Sequence, residues 1–355
     1  MKPPKLDLLK PTIEIVKLIG ELDEFKGRWA ATQALAPDRL AALRQVATIE
    51  SVGSSTRIEG VKLTNSEVEA LLRGVKTYSF RSRDEQEVAG YAELMEMIFT
   101  SFQEIPITEN HIKQLHSVLL KHSTKDDRHR GEYKKFQNSV EAFGPDGKSK
   151  GVIFQTATPF DTPALMQELI EWTNTQITRK ELHPLLVVSV FVVVFLHIHP
   201  FQDGNGRLSR ALTTLLLLRL GYSFVPYSSF ERVIEENKDS YYLALRRGQA
   251  ELEEAKATLE PGGMNAWLVF FLKSMQKQKI ALEAKMKDEL AATQMPRLSL
   301  QIIELIRSRG PSSVAEVVAA TGANRNTIKV HFRDLVANGH LIAEGAGRGV
   351  TYRIK

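Results

Sequence analysis

The sequence predicts a mainly α-helical protein with one short β-hairpin near its middle and a small separate domain at its C-terminal end. Between residues 84 and 102, apolar side chains recur close to every 3.6 positions, which is typical of an amphipathic helix. A turn-rich stretch at 144–148 leads into a β-prone stretch at 151–157, and this order favours a hairpin. Glycine and proline at 310 and 311 break a helical pattern close to the C-terminus.

A chain of 355 residues is long for one hydrophobic core, so two or three domains are expected. We assign an N-terminal helical region to 1–105, a central core to 106–265, a connecting helix to 266–295 and a C-terminal domain to 296–355.

The stretch from Leu8 to about Phe102 is predicted to be mostly helical. Helical apolar spacing starts at Asp38, and another helix starts near Ser66, a candidate N-cap that acidic residues follow in the first turn. The periodic stretch at 84–102 forms the next helix. Thr108 is expected to cap a further helix that extends to Leu120.

More helices are predicted after the hairpin. One begins at Asp161 or Thr162 and has Pro163 in its first turn. The valine-rich stretch at 182–196 would score as a strand on propensity, but it is too long for a typical buried strand. The motif that follows it also resembles one that a helix precedes, so we predict a helix. A lysine-rich amphipathic helix at 267–293 connects the core to the C-terminal domain.

The composition is that of an ordinary globular protein and excludes several classes. Apolar residues make up 43% of the chain and charged residues 25%. Because there is no cysteine, disulfide scaffolds and thiolate metal sites are excluded, and a reducing compartment is permitted. The first residues lack the apolar core of a signal peptide, and the apolar stretch 185–196 is well short of the ~20 residues of a membrane span. We therefore expect a cytoplasmic protein without a membrane partner.

Residues 199–210 combine a histidine, a carboxylate, a Gly-Asn-Gly turn and two arginines directly before an apolar helical stretch. A glycine-rich turn that leads into a helix presents free backbone N–H groups at the positive end of the helix dipole, which suits an anion. Arg207 and Arg210 are three residues apart and project from one face of the first turn. Because guanidinium groups match phosphate geometry, the motif predicts a polyphosphate site.

Two other side chains of the motif indicate chemistry. Asp203 precedes the turn, where a carboxylate could hold Mg²⁺ on a polyphosphate. His199 is the side chain of the motif that titrates near neutral pH, so it is the natural general base. The alternative is a surface loop that caps a core helix, in which the histidine has a structural role and the arginines are solvated. Packing alone would then give no reason for so many polar residues and glycines at the start of one helix.

The stretch from His199 to Arg210 resembles the signature of the Fic family, H-x-F-x-[DE]-G-N-G-R-x-x-R, and matches every fixed position. Most members of this family transfer AMP from ATP to a protein hydroxyl. The resemblance implies that His199 deprotonates a target Ser, Thr or Tyr hydroxyl and that Asp203 carries Mg²⁺.

The same resemblance implies ligands for the phosphates of ATP. It assigns the anion hole at the α- and β-phosphates to Gly204, Asn205 and Gly206. Arg207 would hold the phosphate chain, and Arg210 would bind the γ-phosphate.

Residues 55–60, Ser-Thr-Arg-Ile-Glu-Gly, resemble the inhibitory motif [ST]-x-x-x-E-[GN] of the same family. The resemblance implies that Glu59 pairs with Arg210 and keeps ATP from seating its γ-phosphate. A carboxylate does compete with a phosphate for a guanidinium. Ser55 and Glu59 are four residues apart and would share a helical face; the alternative for Ser55 is a helix cap.

Two further segments resemble parts of Fic proteins. Residues 131–140 resemble a segment that often has the form G-x-[YF]-R-x-x-x-V or similar, with Lys134 in place of the more usual arginine. The hairpin that follows would be the flap, which aligns the target by strand pairing, and the alternative is an ordinary surface hairpin. Residues 235–245 resemble the helix whose tyrosine borders the nucleotide base, which indicates Tyr242; a tyrosine packed in the core is the alternative.

The C-terminal domain is predicted to contain three helices and then a glycine-tipped hairpin, an order that resembles a winged helix-turn-helix. It contains nine Lys or Arg and four Asp or Glu, which accounts for the whole formal net charge of +5 and indicates an anionic partner. The alternative is a dimerisation or target-docking module of the same fold. The residues implied for DNA contacts are Arg325, Asn326, Thr327, Lys329 and Arg333 on the third helix and Arg348 at the wing tip.

We therefore predict an autoinhibited, Mg²⁺-dependent protein adenylyltransferase that modifies a protein hydroxyl, including one of its own, and releases pyrophosphate. A second interpretation keeps the site but removes AMP or transfers another phosphate-containing group, with Glu59 positioning a water. A third is a nucleotide-sensing, DNA-binding regulator; an intact His199 argues against it because a sensor needs no general base. The sequence leaves open whether the chain forms a homodimer.

Overall fold

The fold is mainly α-helical, as the sequence predicts, in the computed structural model of the chain. The structure describes residues 11–31, 37–74, 80, 82–143, 149–252, 262–294, 296–345 and 347–355. They fall into two compact units, Met1–Leu282 and Glu283–Lys355. Among the described residues, helices with the length and apolar character needed to cross a membrane are absent.

The N-terminal part of the first unit is helical. Ser82 and Thr108 cap two of its helices, and their side chains accept the N–H of Glu85 and His111. The helices predicted from the apolar periodicity of this region are confirmed. Their bounds are α1 (Ile13–Ala31), α2 (Pro37–Ile58), α3 (Asn65–Gly74), α4 (Arg83–Ser101) and α5 (Glu109–Leu119).

The cap predicted at Ser66 is wrong, because α3 begins one residue earlier. Thr64 takes the capping place: its Oγ1 accepts the N–H of Glu67 at 3.3 Å, and Glu67 Oε2 accepts the N–H of Thr64 at 2.8 Å. This reciprocal pair is a capping box, which needs the hydroxyl three residues before the acid. Ser66 directly precedes Glu67 and cannot form it.

The rest of the first unit is built around a β-hairpin and long helices. The hairpin is confirmed: its two strands pair antiparallel, with Ser139 opposite Gln155. The turn predicted at 144–148 lies outside the described residues. The elements are β1 (Ser139–Phe143), β2 (Ser149–Gln155), α6 (Thr162–Arg179), α7 (Pro184–Ile198), α8 (Asn205–Arg219), α9 (Phe230–Glu236), α10 (Lys238–Leu252) and α11 (Gly263–Gln294), with short 3-10 turns at 124–126 and 225–227. Helix α11 continues past Leu282, so its last part belongs to the second unit.

Helix α7 confirms the helical prediction for the valine-rich stretch. Pro184 stands in its first turn, and the ring of His183 accepts the N–H of Leu185. Every residue from Leu185 to Ile198 is buried, and α7 packs against α6, α8 and α10. Because a helix buried on all sides needs no polar face, packing overrides the strand propensity of valine.

The loop at 199–204 joins the two most buried helices, α7 and α8. Helix α8 is buried from Arg207 to Leu218, and α2 and α4 also pack against it. The loop is therefore held between rigid elements, and residues of the N-terminal helices reach the first turn of α8.

The C-terminal unit contains the three predicted helices and the predicted hairpin, plus a short strand that was not predicted. The sheet is antiparallel with the strand order β3-β5-β4. Ser313 and Glu316 form a capping box, and Tyr352 stacks on the core residue Phe332 at 3.9 Å between ring centroids. The elements are α12 (Arg297–Arg309), β3 (Ser312–Ser313), α13 (Val314–Thr321), α14 (Arg325–Ala337), β4 (Leu341–Glu344) and β5 (Thr351–Ile354).

Candidate active site

The loop between α7 and α8 begins and ends with a left-handed residue. His199 ends α7 with φ 53° and ψ 62°, a conformation that side chains other than glycine seldom adopt. Gly204 caps α8 with φ 78°, where a glycine bears no strain. A disfavoured conformation at His199 persists only if the surroundings hold it, which is common at functional sites.

The ring of His199 is set up as a proton acceptor. Its Nδ1 lies 3.3 Å from the carbonyl oxygen of Leu196. Since a carbonyl only accepts, Nδ1 carries the hydrogen and Nε2 has a free lone pair. Burial lowers the pKa of His199 to about 4, although the Leu196 carbonyl opposes the shift, so the ring is neutral at pH 7.

Asn205 holds the loop through its side chain. Its Oδ1 accepts the N–H of Phe201 at 2.9 Å, and its Nδ2 donates to the carbonyl oxygen of Phe201 at 2.8 Å. The amide is therefore used within the protein. What Asn205 and Gly206 offer a ligand is backbone N–H, because the first N–H groups of a helix have no intrahelical acceptor.

His116 braces the loop from α5, and the sequence analysis missed it. Its Nδ1 accepts the N–H of Gly131 at 2.8 Å, so Nε2 carries the hydrogen and donates to the carbonyl oxygen of Asp203 at 3.0 Å. The ring stacks on Phe201 at 3.8 Å, and burial lowers its pKa to about 4. A histidine on the apolar face of a helix was the available signal, but such a residue is usually plain core.

Arg207 and Asp203 belong to a closed ring of ion pairs with two residues of α4. Arg207 donates to Glu87 Oε2 at 2.9 Å and to Asp203 Oδ1 at 3.3 Å. Arg83 bonds Glu87 Oε1 at 2.7 Å and lies 3.4 Å from Asp203 Oδ2. Within the described residues, the buried Nε of Arg207 has no hydrogen-bond partner. The sequence motif contains neither Arg83 nor Glu87.

Asp203 is also held as a carboxylate. Its Oδ1 accepts the N–H of Gly204 at 2.5 Å. Burial raises the pKa of Asp203, but the charge of Arg207 and the Gly204 hydrogen bond outweigh burial, so the pKa lies below its usual value.

Arg210 is buried and bonds to the end of α2. Its Nε donates to Ser55 Oγ and its Nη2 to the carbonyl oxygen of Ser55, both at 2.8 Å. The same Nη2 donates to Glu59 Oε1 at 2.8 Å. Ser55 lies inside α2 and not at its start, so it is not an N-cap, and Glu59 follows the helix in a turn.

The carboxylate of Glu59 lies against the first turn of α8. A Cβ placed on Gly206 would be 2.2 Å from Glu59 Oε1, so only glycine allows this approach. Burial raises the pKa of Glu59, yet Arg210 and Arg207 together lower it below its usual value. An ionised carboxylate therefore occupies the anion-attracting start of α8.

Further bonds hold the end of α2 in place. Arg57 forms a fork on Glu235 of α9, with Nε–Oε1 at 2.6 Å and Nη2–Oε2 at 2.9 Å. Lys238 donates to the carbonyl oxygen of Ile58 at 2.7 Å, at the last turn of the helix. The position of Glu59 thus depends on α9 and α10 as well as on Arg210.

One face of α10 lines the same cavity. Tyr242, Leu245 and Gln249 are spaced three, four and seven residues apart along the helix and face the cavity with Leu196 of α7. Tyr241, not Tyr242, is the buried tyrosine beside Arg210. The amide of Gln249 is buried, and neither its nitrogen nor its oxygen has a partner in the part of the chain that the structure describes.

The structure brings nearly all the candidate residues of the N-terminal region and the central core together around this cavity. Those that line it are Glu59, His199, Asp203, Gly204, Asn205, Gly206, Arg207, Arg210 and Tyr242. Ser55 lies behind Arg210. We call the residues from Asp203 to Arg210, with Glu59, the α8 side of the cavity, and Leu196, Tyr242, Leu245 and Gln249 the α10 side.

The residues implied for DNA contacts lie in the other unit. Arg325, Asn326, Lys329 and Arg333 are exposed on α14. The side chain of Arg348 lies outside the described residues.

Residues 106–217 match the model of the Fic/DOC family. The chain contains a Fic/DOC domain. The matched range includes the loop at 199–204 and nearly all of α8, whereas Ser55, Glu59, Tyr242 and Gln249 lie outside it.

Two curated proteins are similar in sequence to this chain. The chain is 31% identical to the protein adenylyltransferase Fic of Drosophila willistoni, over 59% of this chain and 41% of that protein. It is 27% identical to the protein of that name from Drosophila persimilis, over 82% and 56% of the two chains. The chain thus spans about two fifths to just over half of these relatives.

The structural comparison supports the same Fic fold. A Fic family protein from Desulfovibrio desulfuricans aligns with a TM-score of 0.62 and 24% identity, over 100% of this chain and 98% of that one. A Fic domain containing signaling protein from Bacteroides thetaiotaomicron aligns with a TM-score of 0.58 and 25% identity, over 75% and 97%.

Proposed function

We propose that this chain is a protein adenylyltransferase whose activity Glu59 inhibits. It would transfer AMP from ATP to a Ser, Thr or Tyr hydroxyl of a protein, including its own chain. The observation that carries the proposal is that a neutral histidine, a helix N-terminus and two buried arginines line one cavity. The names of the two similar curated proteins, both protein adenylyltransferase Fic, support it.

The α8 side of the cavity suits the triphosphate. The first-turn N–H groups and the helix dipole attract an anion, and Arg210 is positioned to bind a terminal phosphate. The unpartnered Nε of Arg207 is a donor that a phosphate oxygen can satisfy. Transfer of this kind depends on positioning and charge neutralisation more than on covalent chemistry.

His199 would act as the general base. Its free Nε2 takes the proton of the target hydroxyl while the hydroxyl oxygen attacks the α-phosphorus. The bond between the α-phosphorus and the oxygen bridging to the β-phosphate breaks, and pyrophosphate leaves. AMP then remains as a phosphodiester on the target side chain.

Asp203 fits a metal that arrives on the nucleotide. Mg²⁺ often uses one or two carboxylates together with substrate phosphates. The described residues contain no cluster of three or more His, Asp or Glu side chains for a metal, and the ionised Asp203 carboxylate supplies the single oxygen ligand needed. When bound, Mg²⁺ would neutralise charge on the phosphates, and Asp203 would hold it at the start of α8.

The α10 side of the cavity suits a purine. Tyr242 and Leu245 provide the apolar walls, and the unpartnered amide of Gln249 provides one donor and one acceptor side by side. Adenine presents a matching acceptor and donor along one edge, a pairing that glutamine makes bidentately. Filling an unsatisfied buried amide would favour the matching base over others.

Glu59 would inhibit AMP transfer because its carboxylate already binds the guanidinium of Arg210. A γ-phosphate needs that guanidinium and the first turn of α8, where the Glu59 carboxylate lies. Two anions cannot share this place without strong repulsion. Removal of the Glu59 carboxylate would free the site.

The test is transfer of label to proteins of a cell lysate. Purified Glu59→Gly protein is incubated with Mg²⁺ and ATP labelled either at the α- or at the γ-phosphate, and labelled proteins are identified by mass spectrometry. On the purified chain alone we expect α-label and no γ-label. On the lysate proteins we expect α-label only where the Glu59→Gly protein is added, because kinases of the lysate transfer γ-label by themselves. Equal labelling by the Glu59→Gly/His199→Ala double variant, or label from the γ-phosphate only, would overturn the proposal.

We further propose that the C-terminal unit contacts DNA through α14. Support comes from the exposure of Arg325, Asn326, Lys329 and Arg333 on one helix and from the excess positive charge of the last sixty residues. Gel shift of a duplex by the full chain should weaken as salt rises and weaken further in Lys329→Ala. A shift that is insensitive to both would contradict DNA binding by this helix.

A further inference from the structure

Three backbone carbonyls around His199 accept hydrogen bonds from two residues of the segment that precedes β1. The Nζ of Lys134 donates to the carbonyl oxygen of Ile198 at 3.0 Å, and its backbone N–H donates to that of Pro200 at 2.9 Å. The Nδ2 of Asn138 donates to the carbonyl oxygen of Phe201 at 2.9 Å. The peptide groups on both sides of His199 are therefore fixed from one direction.

This arrangement supplies what the backbone of His199 requires. A histidine at φ 53° is in a region that favours glycine, so it relaxes unless neighbouring peptide groups are restrained. The ring direction follows the backbone, and within the described part of the chain the ring bonds to the carbonyl oxygen of Leu196. The restraint from Lys134 and Asn138 thus sets where Nε2 points.

The ammonium of Lys134 is buried, and its three hydrogens have three acceptors. Besides Ile198, these are Asn138 Oδ1 and Thr156 Oγ1, both at 2.9 Å. All three acceptors are neutral, so Lys134 is held by geometry and not by an ion pair. A buried cation among neutral dipoles is unfavourable for stability alone, which argues for a functional role.

The same residues close the base of the hairpin. Asn138 directly precedes β1, Thr156 directly follows β2, and the Oγ1 of Thr156 lies 2.7 Å from the carbonyl oxygen of Asn138. Lys134 therefore connects the hairpin, through Asn138 and Thr156, to the peptide groups that flank His199.

We infer that Lys134 is a positioning residue for the general base: with Asn138 and Thr156 it holds the left-handed backbone of His199 and ties it to the base of the hairpin. This inference rests on the proposed adenylyl transfer. Burial lowers the pKa of Lys134 to about 8, so the ammonium remains mostly charged at pH 7 and keeps its three donors. Its charge also contributes to the low pKa of His199.

The experiment compares Lys134→Met and Lys134→Arg in the Glu59→Gly background. Lys135→Met is the matched control, since the neighbouring lysine is exposed. Turnover, KM for ATP, calorimetric affinity for the Mg²⁺ complex of a non-hydrolysable ATP analogue, and Tm are measured for each. We expect Lys134→Met to lower kcat about 10- to 100-fold, with KM and nucleotide affinity within about threefold.

Lys134→Arg should recover kcat to within about fivefold, because a guanidinium can reach several of the same acceptors. Lys135→Met should leave every value unchanged. An unchanged kcat in Lys134→Met with a lowered Tm would show an ordinary structural lysine and overturn the inference. A loss of nucleotide affinity equal to the loss of kcat would also overturn it, since it would make Lys134 a nucleotide ligand.

Thr156→Val provides a second variant if Lys134→Met does not fold. It removes one acceptor of the ammonium and the closure of the hairpin base, and kcat should fall about three- to tenfold at unchanged nucleotide affinity. Full activity in Thr156→Val would contradict the inference. An inactive Glu59→Gly parent would instead mean that the proposed function is wrong, so the two failures are distinguishable.

Discussion

The two sides of the cavity differ in how far the protein has satisfied its own polar groups. On the α8 side, Arg210 bonds to Ser55 and Glu59, and Arg207 bonds to Glu87 and Asp203, although the Nε of Arg207 has no partner among the described residues. On the α10 side, the buried amide of Gln249 has no partner among the described residues.

The difference indicates which part of a bound nucleotide would satisfy a free protein group and which part would compete with the protein's own side chains. A base that enters the α10 side displaces no protein group and satisfies a buried amide. A triphosphate that enters the α8 side must take Arg210 from a carboxylate. Under the proposed function, the base of the nucleotide would therefore bind while Glu59 keeps the phosphates from the productive position.

The largest expected effect comes from removal of His199, the proposed general base. In the Glu59→Gly background, His199→Ala should lower kcat by about 10² to 10⁴, since general-base catalysis contributes on that order. Calorimetric affinity for the Mg²⁺ complex of an ATP analogue should stay within about threefold. Loss of nucleotide binding along with turnover would mean that His199 is part of the binding site instead.

The charge of Glu59 can be separated from its bulk by Glu59→Gln. The amide retains a hydrogen bond to Arg210 but loses the charge, and charge-assisted bonds are about twice as strong as neutral ones. AMP transfer should rise about three- to tenfold over wild type and stay below the rate of Glu59→Gly. Initial rates with α-labelled ATP measure this order; a rate of Glu59→Gln equal to wild type would assign the inhibition to bulk alone.

The α10 side is tested by Gln249→Leu. The change removes the amide and keeps the apolar volume, so affinity for adenosine and for ATP should fall together by about three- to tenfold. Competition titrations should also show weaker preference for ATP over GTP. The matched control is Gln103→Leu, an exposed position outside the cavity. A loss of affinity for ATP without a loss of affinity for adenosine would mean that Gln249 acts on the phosphates and not on the base.

The smallest effect is expected from pH. Because the pKa of His199 is lowered to about 4, the ring is already deprotonated through the range where an ordinary histidine titrates. In the Glu59→Gly protein, kcat should be level between about pH 5.5 and 7.5 and decline only as pH falls toward 4. A drop in kcat centred near pH 6.5 would contradict the buried, neutral base.

Local patterns in the sequence predicted one part of the molecule well. The twelve residues from His199 to Arg210 are contiguous, so their chemistry is visible without a fold. The helix α7 was predicted against its propensity because the stretch is too long for a typical buried strand and because the Fic family, which the following motif resembles, has a helix before that motif. The short strand β3 was missed, since two residues leave no periodic signal.

The rest of the site depends on contacts between distant segments. Glu87 and Arg207 are 120 positions apart, and His116 and Asp203 are 87 positions apart. Neither Glu87 nor His116 differs in its local pattern from a residue on the face of an ordinary helix. Gln249 was missed for the same reason, because an unsatisfied amide is a property of packing and not of the sequence around it.

The central claim is that Glu59 takes the place of a phosphate at Arg210, and one comparison tests it most directly. Initial rates of label transfer from α-labelled ATP with Mg²⁺ are measured for the wild-type chain and for Glu59→Gly at equal concentration. We expect Glu59→Gly to be about 10- to 100-fold faster, the range that loss of a charge-assisted hydrogen bond supports. Equal rates in the two proteins would contradict the account.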